Sequence, residues 1–262
     1  MSEGLQPDRL KEDLRKKYDR VGNGIITRNQ TEVGQIPREI LQPRPTETYW
    51  MQRKISTAFE VGGFAKADHL LEVGCTAGHY TLMLAREGYR VTGLDISPTS
   101  IEAARLLAKT LALPNAEFIA ADVDDMGEIA DDMFDGAFSF STLRYVPDPV
   151  RSLREIRRVV RPRARVVVDF PNKYSPWFNF LKFLMGGERH IHDHTYSAQQ
   201  ACTMMARAGF INIEARRILF FAKQFPSALL SCYKAMDRIG ETTPGLNRLA
   251  GIVMCKGEKP MS

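Results

Sequence analysis

Beyond residue 64 the chain alternates short apolar runs with longer amphipathic segments, the signature of a parallel sheet whose strands are joined by crossover helices. The apolar runs predict strands at 69–73, 90–94, 116–120, 134–140 and 164–170, with further strand-like segments at Phe210–Ile218 and Ile252–Cys255. Between them, Ile101, Ala104, Leu107, Ala108 and Leu111 fall on one helical face, preceded by Ser97 as N-cap and Pro98 at the first helical position. Val150, Leu153, Ile156, Val159 and Val160 form a second face. Ser197-Ala-Gln-Gln200 has the capping-box form and opens a helix that Gly209 stops. The fold class this predicts is α/β, with a doubly wound, mostly parallel sheet.

Ahead of the first strand the pattern is different. A short helix is expected around Leu10–Tyr18 and then irregular chain, because Gly22, Gly24, Pro37, Pro43 and Pro45 punctuate the stretch up to residue 45. Tyr49, Trp50, Ile55, Phe59 and Val61 then predict a helix from Thr46 to the Gly62-Gly63 pair. Residues 1–64 therefore read as an N-terminal helical cap and 65–262 as the main domain. Two stretches, 171–195 and 219–249, are long for connections and read as helical inserts, one after the fifth strand and one between the sixth and seventh. Trp177, Phe180, Leu181, Leu184 and Met185 make an apolar stripe in the first insert, and Leu229, Cys232, Tyr233, Met236 and Ile239 make one in the second. The expectation is a pair of lid helices packed on the sheet. Flanking Lys and Arg would also suit a lipid-linked substrate or peripheral membrane contact.

Composition narrows the class without naming it. With 262 residues, 44% hydrophobic and 26% charged, the chain suits one large soluble domain with additions. Its start is charged throughout and carries no secretory apolar core, and no apolar run reaches bilayer length, so a cytoplasmic location is expected. The net charge of +5 is too modest to specify a partner. Arginines 151, 154, 157, 158, 161, 163 and 165 suggest a basic face, read first as solvated surface. Cys75, Cys202, Cys232 and Cys255 show no metal-ligand spacing, so no metal is assigned to them.

The chemistry concentrates at strand ends. Glu72-Val-Gly-Cys-Thr-Ala-Gly78 joins an apolar strand to a helix start; Gly74 and Gly78 permit close backbone approach, and the helix start offers free N–H groups. Its Glu-x-Gly-x-x-x-Gly spacing differs from the Gly-x-Gly-x-x-Gly of a dinucleotide turn, which disfavours a nicotinamide-dependent oxidoreductase. The second strand ends at Asp95, whose carboxylate can accept from both hydroxyls of a ribose. At the end of the third, Asp122 can accept from an exocyclic adenine amine and Val123 can lie against the ring.

The segments LEVGCTAG, GLDIS, AADVDD, FDGAFSFSTLRYVPDP and LREIRRVVRP together resemble the class I S-adenosylmethionine (SAM) dependent methyltransferase superfamily, in its small-molecule "methyltransferase type 11" branch, over roughly residues 46–170. That resemblance implies a Rossmann-like seven-stranded sheet and S-adenosyl-L-methionine as cofactor. It puts Glu72, Gly74, Cys75 and Gly78 around the methionine end, Asp95 on the ribose, Ile96 on the adenine face, Asp122 and Val123 at the amine edge, and Ser139 with Phe140 on the methionine side. Arg53 could reach the SAM carboxylate, with Tyr18 assisting. Three departures stand out. Thr76-Ala77 replaces the commoner Gly-Thr or Gly-Ser, Arg163-Ala164 replaces Gly-Gly, and Tyr145 stands where many relatives have histidine.

Methyl transfer from a sulfonium is a direct displacement, so the protein must align the nucleophile and exclude water, with a base only where the nucleophile must lose a proton. Arg189-His-Ile-His-Asp-His-Thr-Tyr196 makes His190, His192, His194 and Tyr196 the base and substrate candidates, with Tyr145 able to orient substrate. Alternate histidines with Asp193 also look like a metal site, ranked below acid–base chemistry. No Asn/Asp-Pro-Pro-Tyr motif stands after the fourth strand and no RNA-binding appendage is recognisable, which points away from nucleic acid. The function expected is methylation at oxygen or carbon of a small-molecule or lipid-linked acceptor. The alternative is a non-catalytic SAM-fold protein that binds a partner through its apolar inserts. The oligomeric state stays open.

Overall fold

A computed structural model describes residues 7–31, 44–176, 194–221 and 226–261. Seven strands, β1 (His69–Val73), β2 (Arg90–Asp95), β3 (Ala116–Ala120), β4 (Phe134–Ser139), β5 (Val160–Pro171), β6 (Ile211–Ile218) and β7 (Ile252–Glu258), form one sheet in the order β3-β2-β1-β4-β5-β7-β6. All pairings are parallel except those of β7 with β5 and β6. The central strands are covered on both faces, which is why β1 reads as an unbroken buried run rather than an alternation. The chain order reverses between β1 and β4, so a crevice opens at the carboxyl ends of these strands.

The helices obey their local signals. In α4 (Pro98–Thr110) the Ser97 side chain accepts from Ser100 N, and Pro98 occupies the first turn, where its missing N–H costs nothing. Asp148 caps α5 (Pro149–Val159), accepting from Val150 N and Arg151 N. Ser197 and Gln200 complete both bonds of a capping box at the start of α6 (Ala198–Arg207). Helix α3 (His79–Arg86) starts from Gly78.

The first helix departs from expectation. Rather than ending near Tyr18, α1 runs from Pro7 to Thr31, straight through Gly22 and Gly24. Leu10, Leu14 and Ile25 keep the helical period on its buried face, and Ser100 Oγ and Ser97 Oγ bond Tyr18 O (2.9 Å) and Asp19 (2.6 Å). A Cβ at Gly22 would lie 2.6 Å from the Thr99 backbone, so this glycine is a contact point with the start of α4 and not a helix stop. Tertiary packing overrides propensity here. The second cap helix, α2 (Pro45–Gly62), ends at Gly63 in the left-handed conformation.

The expected basic face is solvated, with Arg151, Arg154, Arg161, Arg163 and Arg165 all exposed, and several of its arginines also make structural bonds. Arg158 bonds Glu155, Asp131 and the carbonyls of Ile129 and Met126, Arg161 pairs with Asp135, Arg151 reaches Asp124 O, and Arg165 reaches Gly62 O. The stripe expected to pack α7 (Leu230–Thr242) onto the sheet is also reversed. Tyr233 is buried, but Leu229, Cys232, Met236 and Ile239 face outward, and the inner face carries Asp237 and Gly240 instead. The stripe Trp177–Met185 lies outside the described residues.

Candidate functional site

The loop after β1 is pulled onto the end of β2 by two amides, Gly74 N and Cys75 N, which both donate to Leu94 O at 2.7 and 3.0 Å. Gly74 has φ +80°, and a Cβ there would lie 2.0 Å from Thr142 Oγ1 in the turn after β4. Gly78 also has φ +80°, and its Cβ would meet the Phe118 ring of β3 at 2.7 Å. Both glycines therefore let strand ends close on one another.

Asp95 sits at the centre. Thr76 N donates to its Oδ2 (2.9 Å) and Ser97 N to its Oδ1 (3.0 Å). Burial raises its pKa above the usual carboxylate range, and those amide donors oppose the rise. The two amides fix the plane of the carboxylate while leaving lone pairs on each oxygen, since an ionised carboxylate can accept about four hydrogen bonds.

Asp95 lines a cleft at the carboxyl ends of the strands. Gly74, Ile96, Asp122 and Val123 form the strand-end wall. Thr142, Tyr145, Val146 and Pro147, from the turn after β4, form a second wall, and Lys11, Leu14 and Tyr18 of α1 close the third side. Lys11 Nζ is 2.7 Å from both Asp122 Oδ2 and Asp124 Oδ2. Burial depresses the Lys11 pKa, but those two carboxylates more than offset it and the net shift is upward. The long α1, which composition concealed, is thus one wall of the site.

Other expected residues lie behind the cleft. Glu72 is 2% exposed, and its Oε2 accepts from Thr81 N (2.8 Å) and Thr81 Oγ1 (2.5 Å). Burial pushes its pKa up to about 7, partly opposed by the Thr81 bonds and reinforced by Asp95. Cys75 is buried, which raises its thiol pKa. Ser139 Oγ donates to Val73 O at 2.9 Å, joining β4 to β1, and Phe140 packs edge-on against Tyr80.

Arg53 is placed elsewhere. Its guanidinium bonds Thr57 Oγ1 (2.9 Å) and pairs with Glu241 of α7, so it ties α2 to α7 and does not line the cleft. The next residue holds the position sequence reasoning missed. Lys54 is fully buried, 2.6 Å from Asp169 Oδ2 on β5; it donates to Ser141 Oγ (2.8 Å) and lies 3.8 Å from the Trp50 ring centre. Asp169 Oδ1 accepts from Ser141 N at 2.6 Å. Ser141 has φ +59°, so this pair clamps a strained residue at the head of the turn that forms the second wall. The available signal was a lysine within an apolar helix face and an aspartate within the run Val166–Phe170.

Of the base candidates, Tyr145 lines the cleft, with Arg144 and Lys17 over its ring at 5.0 and 5.4 Å. His194 N donates to Arg144 O (3.3 Å), which sets segment 194–196 beside the Tyr145 turn; its ring is solvent-exposed. Tyr196 N donates to Pro171 O (2.9 Å), and its ring packs edge-on against Phe170 in the core, so burial raises its pKa. His190 and His192 lie outside the described residues. Among the described residues no three His, Cys, Asp or Glu side chains form a metal-binding group.

Two carboxylates on adjacent strand ends, with apolar Ile96 and Val123 beside them, are the acceptors and walls that a ribose diol and a flat heterocycle need. The fold is of the Rossmann-like class, a doubly wound and mostly parallel seven-stranded sheet. A family model described as "Methyltransferase domain" matches residues 71–168. An S-adenosyl-L-methionine-dependent Diels-Alderase from Talaromyces variabilis is 30% identical over 203 residues, covering 70% of this chain and 68% of the relative. A demethylmenaquinone methyltransferase from Staphylococcus aureus is 26% identical over 234 residues, covering 80% and 87%. The crystal structure of the [4+2]-cyclase SpnF superposes with a TM-score of 0.58 at 22% identity, covering 80% of this chain and 81% of that one. The chain belongs to the SAM-dependent methyltransferase family, in its small-molecule branch.

Proposed function

We propose that the cleft holds SAM with its ribose on Asp95, its adenine between Ile96 and Val123 with the amine edge toward Asp122, and its methionine end toward Glu72, Gly74, Cys75, Gly78 and Ser139. The observation that carries this reading is the Asp95 carboxylate, fixed by Thr76 N and Ser97 N with lone pairs left over at the cleft wall. When bound, SAM supplies an electrophilic methyl group on a sulfonium. The acceptor is a small, largely apolar molecule methylated at carbon or oxygen, and it enters beside the Tyr145 turn and segment 194–196. The demethylmenaquinone methyltransferase among the relatives supports an apolar ring acceptor.

The chain's own residues then have three tasks. Lys11 holds α1 across the cleft through Asp122 and Asp124, which excludes water. The Lys54–Asp169–Ser141 clamp sets the turn that carries Tyr145. Tyr145 orients the acceptor, and His194 is the base where the acceptor must lose a proton. The test is incubation with methyl-labelled SAM and a panel of apolar phenols and quinols. Labelled product, reduced by Asp95→Ala through weaker SAM binding, is expected; SAM affinity unchanged in that variant would sink the cofactor assignment.

A second reading has a specific observation in its favour, because a Diels-Alderase and a [4+2]-cyclase are both among the similar proteins. Under it, SAM is a bound structural ligand and the cleft shapes a diene for cycloaddition. S-adenosylhomocysteine release separates the two, since methyl transfer produces it and cycloaddition does not.

A further inference from the structure

Helix α7 and its flanking turns have an amphipathicity opposite to that of the rest of the molecule. The polar groups point inward: Asp237, 2% exposed, accepts from Tyr49 Oη (2.8 Å) and Phe220 N (2.6 Å), and Glu241 accepts from Leu219 N (3.1 Å) and pairs with Arg53. The apolar groups point outward: Leu229 and Met236 are each 50% exposed, Ile239 60%, and Leu246 and Leu249 41% each. These are five of the nine large apolar side chains exposed among the described residues, so they form a patch and not a scatter.

The charge on this patch has one sign. Lys234, Arg238 and Arg248 are exposed, and the only carboxylates between residues 226 and 250 are Asp237 and Glu241, both committed to the interior. The end of β5 joins the same surface, because Asn172 Nδ2 donates to the carbonyls of Arg248 (2.8 Å) and Ala250 (2.7 Å), and Tyr174 two residues on is 55% exposed. A second copy is a poor occupant, since pairing the face with itself sets cations against cations. An anionic bilayer meets both properties: apolar side chains enter the acyl boundary, lysine and arginine meet headgroup phosphates, and an aromatic ring sits at the interface.

We infer that α7 with its flanking turns is an interfacial docking surface for a membrane rich in anionic phospholipid. This does not rest on the identity of the methyl acceptor. The test is co-sedimentation of the full chain with vesicles of phosphatidylcholine alone or mixed with phosphatidylglycerol. Binding to the mixed vesicles that weakens with added salt is expected. At about 1 kcal/mol per cation near the surface, Lys234→Gln with Arg238→Gln should lower the partition coefficient on the order of 30-fold. Met236→Asp with Ile239→Asp should abolish binding while circular dichroism and SAM affinity stay unchanged. Equal binding to both vesicle types, or binding that survives Met236→Asp with Ile239→Asp, overturns the inference. So does a concentration-dependent dimer, lost in that same double variant, in a protein that ignores vesicles.

Discussion

Glu72 offers the sharpest test of the site's electrostatics. It lies on a fully buried strand, takes its two hydrogen bonds from Thr81, and has its pKa pushed from the ordinary 4.5 to about 7. Burial is the cause, with nearby Asp95 adding to it. The folded state then holds a proton that the unfolded chain releases, so between these two values folding takes up a proton and stability falls as pH rises. Raising a carboxyl that far costs the ligand-free fold about 3 kcal/mol once pH exceeds both values.

Glu72→Gln keeps an oxygen for Thr81 and removes the titration. The difference in unfolding free energy between variant and wild type should therefore grow by about 2 kcal/mol between roughly pH 5.5 and 8, in favour of the glutamine. Urea denaturation of the ligand-free proteins at several pH values measures this, and the slope of the transition checks that the unfolded state is unchanged. Parallel stability curves would refute the reasoning. They would mean that the charge is stabilised in place or that water reaches it.

The geometry sets four more expected outcomes. Thr76 (φ +51°) and Arg163 (φ +66°) occupy left-handed conformations, so Thr76→Gly and Arg163→Gly should each raise the urea midpoint by the equivalent of about 1 kcal/mol, the relief of left-handed strain less the glycine entropy. Asp95→Ala should weaken SAM binding by about 1–3 kcal/mol in calorimetry, through lost ribose hydrogen bonds. Lys54→Met leaves Asp169 buried without its cation and should cost about 3–5 kcal/mol in denaturant unfolding, much of it recovered by adding Asp169→Leu. Lys11→Ala should cost about 1–3 kcal/mol, since Asp122 is partly exposed but buried Asp124 loses its cation, and should raise the KM for SAM by loosening α1.

The parts of the fold legible in the sequence were those set by local chemistry. Ser97-Pro98 and Ser197–Gln200 announce helix starts because their side chains bond backbone amides within three residues, and the buried strands announce themselves by short, mostly apolar runs. Features that depend on distant contacts were not legible. Gly22 and Gly24 looked like helix breakers, yet α1 continues because Gly22 meets the backbone of α4, a contact absent from any local window. Periodicity placed Leu229, Met236 and Ile239 on one face of α7, but nothing in a period says whether that face points in or out. That Asp95, Ile96, Asp122 and Val123 fall on one cleft wall is legible because strand ends are predictable; the places of Lys11 and Lys54 are not, because their carboxylate partners lie more than a hundred residues away.

The family departures can be judged on the same terms. Glycine is the commoner residue at two of them, and at both the backbone here adopts a conformation that glycine favours, with Thr76 and Arg163 carrying the strain. Thr76 nevertheless delivers its amide to Asp95, and Arg163 N still donates to Lys259 O at 2.9 Å. The loop shape is therefore imposed by the surrounding hydrogen bonds and not by the residue that sits in it. Loss of glycine lowers stability without unmaking the site. The third departure differs in kind, because Tyr145 lies at the cleft wall beneath two cations and changes which groups an acceptor meets. Tyr145→His therefore tests whether this wall meets the acceptor: a changed product profile on the phenol and quinol panel is expected, and an unchanged one would place the acceptor elsewhere.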